Sequence, residues 1–211
     1  MKDSADTSIQ PMDTFTAIRE RRSVKQYDPA HEMPQADIDR LLELAVLSPT
    51  SFNIQNWRFL VVRDKDLRRK ICDAAWHQSQ VMDASVVILV CADLNAWDRQ
   101  AERYWATAPA ETRAALVSMI TKFYAGNVAL QRDEALRSAG MAAQTIMLAA
   151  KAMGYDSCPM IGFDMDAVAR LVKLPEDHLI GMMITVGKAL QPARARGGQL
   201  PLSELVYEDT F

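Results

Sequence analysis

The run Ser85–Ala92, SVVILVCA, constrains the fold more than any other stretch of the chain. It has the length of one strand and is apolar almost throughout, without the polar alternation of a strand that faces water on one side. Such a strand has to be covered on both faces. Helices must therefore pack above and below whatever sheet contains it.

Two further strands are expected at Trp57–Val62 and Leu179–Val186, where bulky and β-branched residues gather. A short helix around Phe15 and Ile18 should end at the stretch Arg21–Lys25. A second opens at Pro34, which a first helical turn tolerates, and carries Ile38, Leu41, Leu42, Ala45 and Val46 at helical spacing. A charged helix follows from about Asp64 to Trp76, with Leu67, Ile71 and Ala74 on one face. The longest runs from about Asn127 to Met153, with Met141, Thr145, Leu148 and Ala152 in one row, many alanines that allow close helix packing, and Gly154 as its stop. Asp164 caps a shorter helix that reaches Leu171. Residues 95–125 read as helical but weakly patterned; they hold Trp97, Tyr104, Trp105, Phe123 and Tyr124 and are assigned to the variable part of a substrate pocket. Residues 1–12 read as a flexible arm, and 200–211 as a tail with enough apolar content to lie on something. No repeat or linker divides the chain, so residues 1–211 read as one layered domain, α/β or α+β from the order of elements alone.

With 24 basic against 27 acidic side chains the net charge is −3, which gives no overall attraction to nucleic acid or an anionic membrane. Any basic site must be local. Cys72, Cys91 and Cys158 are widely spaced, with no nearby histidine set, so neither a disulfide framework nor a metal site is expected and a reducing cytoplasm fits best. The polar start MKDSADTSIQ lacks the apolar run of a secretory signal, and no stretch approaches the roughly 20 apolar residues of a membrane span.

Four stretches can carry chemistry. Arg21-Arg22-Ser23-Val24-Lys25 sets three cations and a hydroxyl together, enough to neutralise a phosphate monoester of about −1.5 to −2 charge. Taken alone, it could equally be a solvated helix end. Arg194 and Arg196, beside two glycines, form a second basic turn at the far end of the chain. Ser48–Trp57, SPTSFNIQNW, is rich in neutral donors and acceptors, which suit a heterocycle's edge and hydroxyls better than a metal. Cys158–Asp164, CPMIGFD, reads as an apolar turn whose backbone can lie flat against a planar ligand, with Cys158 packing rather than reacting.

In this order and spacing, RRSVK, SPTSFNIQNWRFLVV, VMDASVVILVCA, GMAAQTIMLAAKAMGYDSCPMIGFD, ITVGKA and the PARAR turn make the sequence resemble the nitroreductase-like family of FMN-dependent oxidoreductases over nearly its whole length. The resemblance implies an α+β fold, a three-layer α/β/α sandwich with a mainly antiparallel central sheet, in an intertwined homodimer with FMN at the interface. It implies that Arg21, Arg22, Ser23 and Lys25 contact the phosphate, ribityl chain and ring edge of FMN, Lys25 near N1 and O2, while Arg194 and Arg196 close on the phosphate. Pro49, Thr50, Ser51 and Asn53 would come from the partner subunit. Pro159, Met160, Ile161 and Gly162 would pass along one side of the ring and offer a backbone amide toward N5. His77 and Gln80 fall where some members place polar ring contacts. Gln55-Asn56-Trp57 stands where many members have Q-P-W, and Ile161 where some have glutamate, departures that bear on substrate choice and redox tuning.

The implied activity is NAD(P)H-dependent reduction of nitroaromatics, quinones or similar electron-poor acceptors by ping-pong hydride transfer through flavin N5. It needs no catalytic side chain and no metal, with Lys25 as electrostatic support. A reductase of enones, aldehydes or halogenated aromatics, and a flavin-binding sensor or scavenger without turnover, share the same contacts. The tail 200–211 is expected to pack on the partner subunit and is a candidate to add a strand to its sheet.

Overall fold

The computed structural model describes residues 12–211, so the expected N-terminal arm lies outside the described residues except for Met12. In chain order the main elements are α1 (Thr14–Glu20), α2 (Gln35–Ala45), β1 (Trp57–Val62), α3 (Lys65–Ala74), α4 (Gln80–Asp83), β2 (Val86–Asp93), α5 (Ala110–Tyr124), α6 (Val128–Ala152), β3 (Asp156–Met160), α7 (Met165–Leu171) and β4 (His178–Gly187). Short side chains start several helices, Asp164 among them as expected. Asp13, Asp64, Asn127 and Asp164 accept backbone N–H bonds from the first turns of α1, α3, α6 and α7.

The strands form one sheet in the order β1-β2-β4-β3, antiparallel at every step. All eight residues of β2 are buried. Their side chains alternate between two apolar layers. Val86, Ile88, Val90 and Ala92 face the layer of α2 and α6; Val87, Leu89 and Cys91 face that of α3, α4 and α7. The result is the expected three-layer α/β/α arrangement.

One expectation is sharpened and one changes. The row Met141, Thr145, Leu148 and Ala152 is only partly buried. The alanines are the side chains that let α6 lie close: Ala135, Ala139, Ala143 and Ala150, with Ile146 and Met147, join the cluster on this face of the sheet. The change concerns Cys158–Asp164, read as a turn. Asp156–Met160 is a strand, and only the residues after Met160 turn away. Pro159 hides it from pattern reading, since proline lacks the ladder donor; β3 accommodates it as an edge strand, paired along its length with β4 and bridged on its outer side at Ser157, two residues before the proline.

Gly181 and Gly187 serve close packing. Gly181 is the residue skipped where the β2–β4 register shifts between Val90 and Cys91, and a Cβ there would lie 3.0 Å from Ala139 Cβ and 3.1 Å from the Val90 carbonyl. At Gly187 a Cβ would lie 2.9 Å from the Ser85 backbone nitrogen and 3.1 Å from the Tyr27 ring. Gly187→Ala should therefore cost about 1–3 kcal/mol, since backbone on one side and a buried ring on the other must shift. Urea denaturation of both proteins checks this, and an unchanged midpoint at equal slope would contradict it.

Candidate functional site

The basic stretch after α1 is placed by the sheet edge. Arg21 N–H closes the last turn of α1 on the Ala17 carbonyl at 2.9 Å, after which the chain extends along β3. Ser23 bridges Ser157, and Val24 N–H donates to the Ser157 carbonyl at 3.1 Å. Val24 is buried with Tyr27 and Ala84, while the residues either side of it, Ser23 and Lys25, remain exposed. The C-terminal basic turn folds onto this segment. Arg196 Nη2 donates to the carbonyls of Arg19 at 3.1 Å and Arg21 at 3.2 Å, and Arg22 donates to the Arg194 carbonyl.

These contacts frame a cleft of ≈ 580 Å³ whose lining includes Arg21, Arg22, Lys25, Arg194 and Arg196 and, among the described residues, no carboxylate. Burial and then the neighbouring charges of Arg196 and Arg22 pull the Arg21 pKa below the usual guanidinium range. Its Nη1 is buried and has no hydrogen-bond partner among the described residues; the buried Ser157 Oγ, on the strand beside Ser23, also has none. A buried donor without an acceptor is costly, and an anionic oxygen in the cleft would supply one. The donor set therefore fits a phosphorylated ligand.

The structure brings Arg21, Arg22, Ser23, Lys25, Gln80, Arg194 and Arg196 into this one cleft. Gln80 is almost fully buried, its Nε2 3.0 Å from Gln78 Oε1 and 3.7 Å from Met160 Sδ. His77 does not join them: its side chain is 81% exposed and pairs with Asp73 at 3.2 Å, because a left-handed backbone (φ 57°) turns it outward. Pro159, Met160, Ile161 and Gly162 do not line the cleft: Met160 is buried in the cluster with α3 and α7 and pairs with Met183 in the sheet, while Ile161 is exposed. Sequence reasoning passed over Gln78, whose Nε2 donates to the Gly162 carbonyl at 2.7 Å and so ties the 76–80 turn to the 159–162 turn. It also passed over Trp76, whose indole would lie 3.3 Å from a Cβ at Gly162. Neither belongs to a charged or repeated pattern that could have marked it.

Pro49, Thr50, Ser51 and Asn53 do not line the cleft in the same chain. They form a separate loop held against α6 and the short helical turn Ala101–Trp105. Cys158 is buried beneath the basic stretch; burial raises its pKa, against an opposing effect of Lys25, so the thiol stays protonated and packs.

Fold and cleft together define a layered α+β chain with a basic, acid-free pocket at one edge of its sheet. The chain belongs to the nitroreductase family, whose model, described as the nitroreductase family, matches residues 18–188. It is thus a nitroreductase-family oxidoreductase. Protein DrgA of Synechocystis is 54% identical over 200 residues, covering 92% of this chain and 95% of that protein. A protein of Thermus thermophilus named NADH dehydrogenase is 29% identical over 95% of this chain and 98% of its own length. Among solved structures, a proposed nitroreductase from Exiguobacterium sibiricum in complex with FMN superposes with a TM-score of 0.88 at 29% identity, covering 94% of this chain and 98% of that one.

Because the cleft holds like charges with no counter-charge, a multivalent anion should stabilise the folded protein beyond any ionic-strength effect. Phosphate is expected to raise the melting temperature more than chloride at equal ionic strength, and the excess should shrink in Arg196→Gln. Equal shifts for the two salts would remove the anion from the account of this cleft.

Proposed function

We propose that the protein is an FMN-dependent NAD(P)H oxidoreductase that reduces nitroaromatics, quinones or similar electron-poor acceptors. The single observation that carries this reading is the acid-free cleft with five cations in a chain of net charge −3. Family membership and the FMN complex of a 29% identical neighbour support the same ligand. Arg21, Arg22, Arg194 and Arg196 hold the phosphate, with Ser23 as a further donor. Lys25 supplies positive charge beside the ring, and Gln80 with the Pro159–Gly162 turn forms one side of its bed. FMN, when bound, supplies the hydride relay between a nicotinamide donor and the acceptor, which use one open face in turn.

A second copy of the chain completes the site. Its loop Pro49, Thr50, Ser51 and Asn53 adds neutral hydrogen-bonding groups to those of Ser23 and Gln80 in the cleft. Exposed Leu44, Val46 and Leu47 at the end of α2, and Leu202, Leu205, Val206 and Phe211 in the tail, are apolar surface that a homodimer would cover. No helix of the described residues is long and apolar enough to cross a membrane.

The test is an anaerobic visible spectrum of the FMN-loaded protein before and after addition of NADH or NADPH. Bleaching of the flavin band by one nucleotide, and its return on adding a quinone or nitroaromatic, is the expected result. Failure to bind FMN sinks the reading, whereas bound flavin that neither nucleotide reduces would turn it into a binding module without turnover.

A further inference from the structure

The loop Thr50–Gln55 is held in a conformation its residues do not favour. Phe52, Asn53 and Gln55 have φ of 49°, 56° and 46°, left-handed positions that cost on the order of 1 kcal/mol each in residues other than glycine, asparagine least. Such backbone persists only where its surroundings over-determine it. Four bonds do so here. Gln55 N–H donates to Thr50 Oγ1 at 3.0 Å, Asn53 Nδ2 to the Tyr104 carbonyl at 2.8 Å, Trp105 Nε1 to the Phe52 carbonyl at 3.1 Å, and Ser51 N–H to Glu134 Oε1 at 3.3 Å.

Glu134 is the unusual member. It stands on the long helix α6 with only 5% of its surface exposed, where a carboxylate is expensive and an apolar residue would pack more cheaply. Two of its partners come from its own helix: Ser138 Oγ donates to Oε1 at 3.0 Å, and the Arg137 guanidinium pairs with Oε2. The third, the Ser51 N–H, is the only one that reaches it from another segment. Tyr124 of α5 also turns its ring to this place, its hydroxyl buried beside Ser51 and Glu134.

We propose that Glu134 is a positioning residue for the flavin site: its buried carboxylate fixes the Ser51 N–H and with it the strained loop that one chain presents to the cofactor of its partner. This rests on the flavin reading above and assigns a purpose to an acid that touches no ligand itself. The loop's donors are neutral and short, so their value to a ring edge depends on placement, and a misplacement of about 1 Å can cost as much as about a hundredfold.

The experiment measures FMN affinity by flavin fluorescence well below the melting range, for the wild-type protein and Glu134→Ala, Glu134→Asp and Glu134→Gln. Asp keeps the charge but withdraws the carboxylate from Ser51, whereas Gln keeps an Oε1 acceptor at the same reach. Expected is a loss of about tenfold or more in Ala and Asp, with Gln close to wild type. Ile146→Val, which thins the same helix's packing away from the loop, serves as the control: it should lower the melting temperature and leave FMN affinity unchanged. Wild-type affinity in folded Glu134→Asp overturns the inference even if Glu134→Ala fails to fold, and so does a loss in Ile146→Val equal to that in Asp. Absence of FMN binding by the wild-type protein would instead overturn the reading on which the inference stands.

Discussion

Everything in this molecule depends on burying β2 against β4 with apolar side chains on both faces. Each branched residue taken fully out of water contributes about 1.5–3 kcal/mol, and β2 supplies a row of them to each layer. That demand sets the helices on two sides and selects alanines for α6, where a helix must lie close. It also leaves β1 and β3 as the edges. The edge at β3 then acquires a use: its Ser157 pairs with Ser23, and the sheet becomes the support on which the basic cleft is mounted.

The cleft itself is held together by a weak balance. Three guanidinium-to-carbonyl bonds join the last turn of α1 and the segment after it to the 194–196 turn across more than 170 positions of chain. Bonds from charged donors contribute about 1.5–3 kcal/mol at best, less where water competes. Two unit charges 4 Å apart at an effective dielectric of 20 repel by about 4 kcal/mol. Attraction and repulsion are thus of one size. An anion in the cleft would offset the mutual repulsion of the cations it touches.

Much of this was legible in the sequence, and the gaps have physical causes. The unbroken run SVVILVCA and the caps Asp64, Asn127 and Asp164 express local rules, so the strands and helices they govern lie where the spacing places them. Arg21, Arg22, Lys25, Arg194 and Arg196 stood out as charge clusters, but their meeting depends on a fold that no local rule describes. β3 escaped because Pro159 is tolerated by its edge position, a tertiary fact. The alanines of α6 were legible as close packers, but which of them meet the sheet depends on how the helix is rotated about its axis, and Ala135, Ala139, Ala143 and Ala150 are set by that tertiary fact. Gln78 and Trp76 matter only through the turn at Gly162, a neighbour distant in sequence.

Two constructions of opposite character thus serve one proposed ligand. Charge acts at a distance: a cleft of cations in an acidic chain raises the local concentration of a phosphate before contact, at a strength that falls with salt. Neutral groups act only at contact, where a misaligned donor is worth little. The cleft can therefore tolerate flexible arginine stems beside glycines, whereas the Thr50–Gln55 loop cannot tolerate slack. That difference explains why the structure invests a buried carboxylate and three left-handed residues in the loop and leaves Arg194 and Arg196 on an exposed turn. Specificity for the ring, on this reading, is purchased with strain, and attraction to the phosphate with unpaired charge.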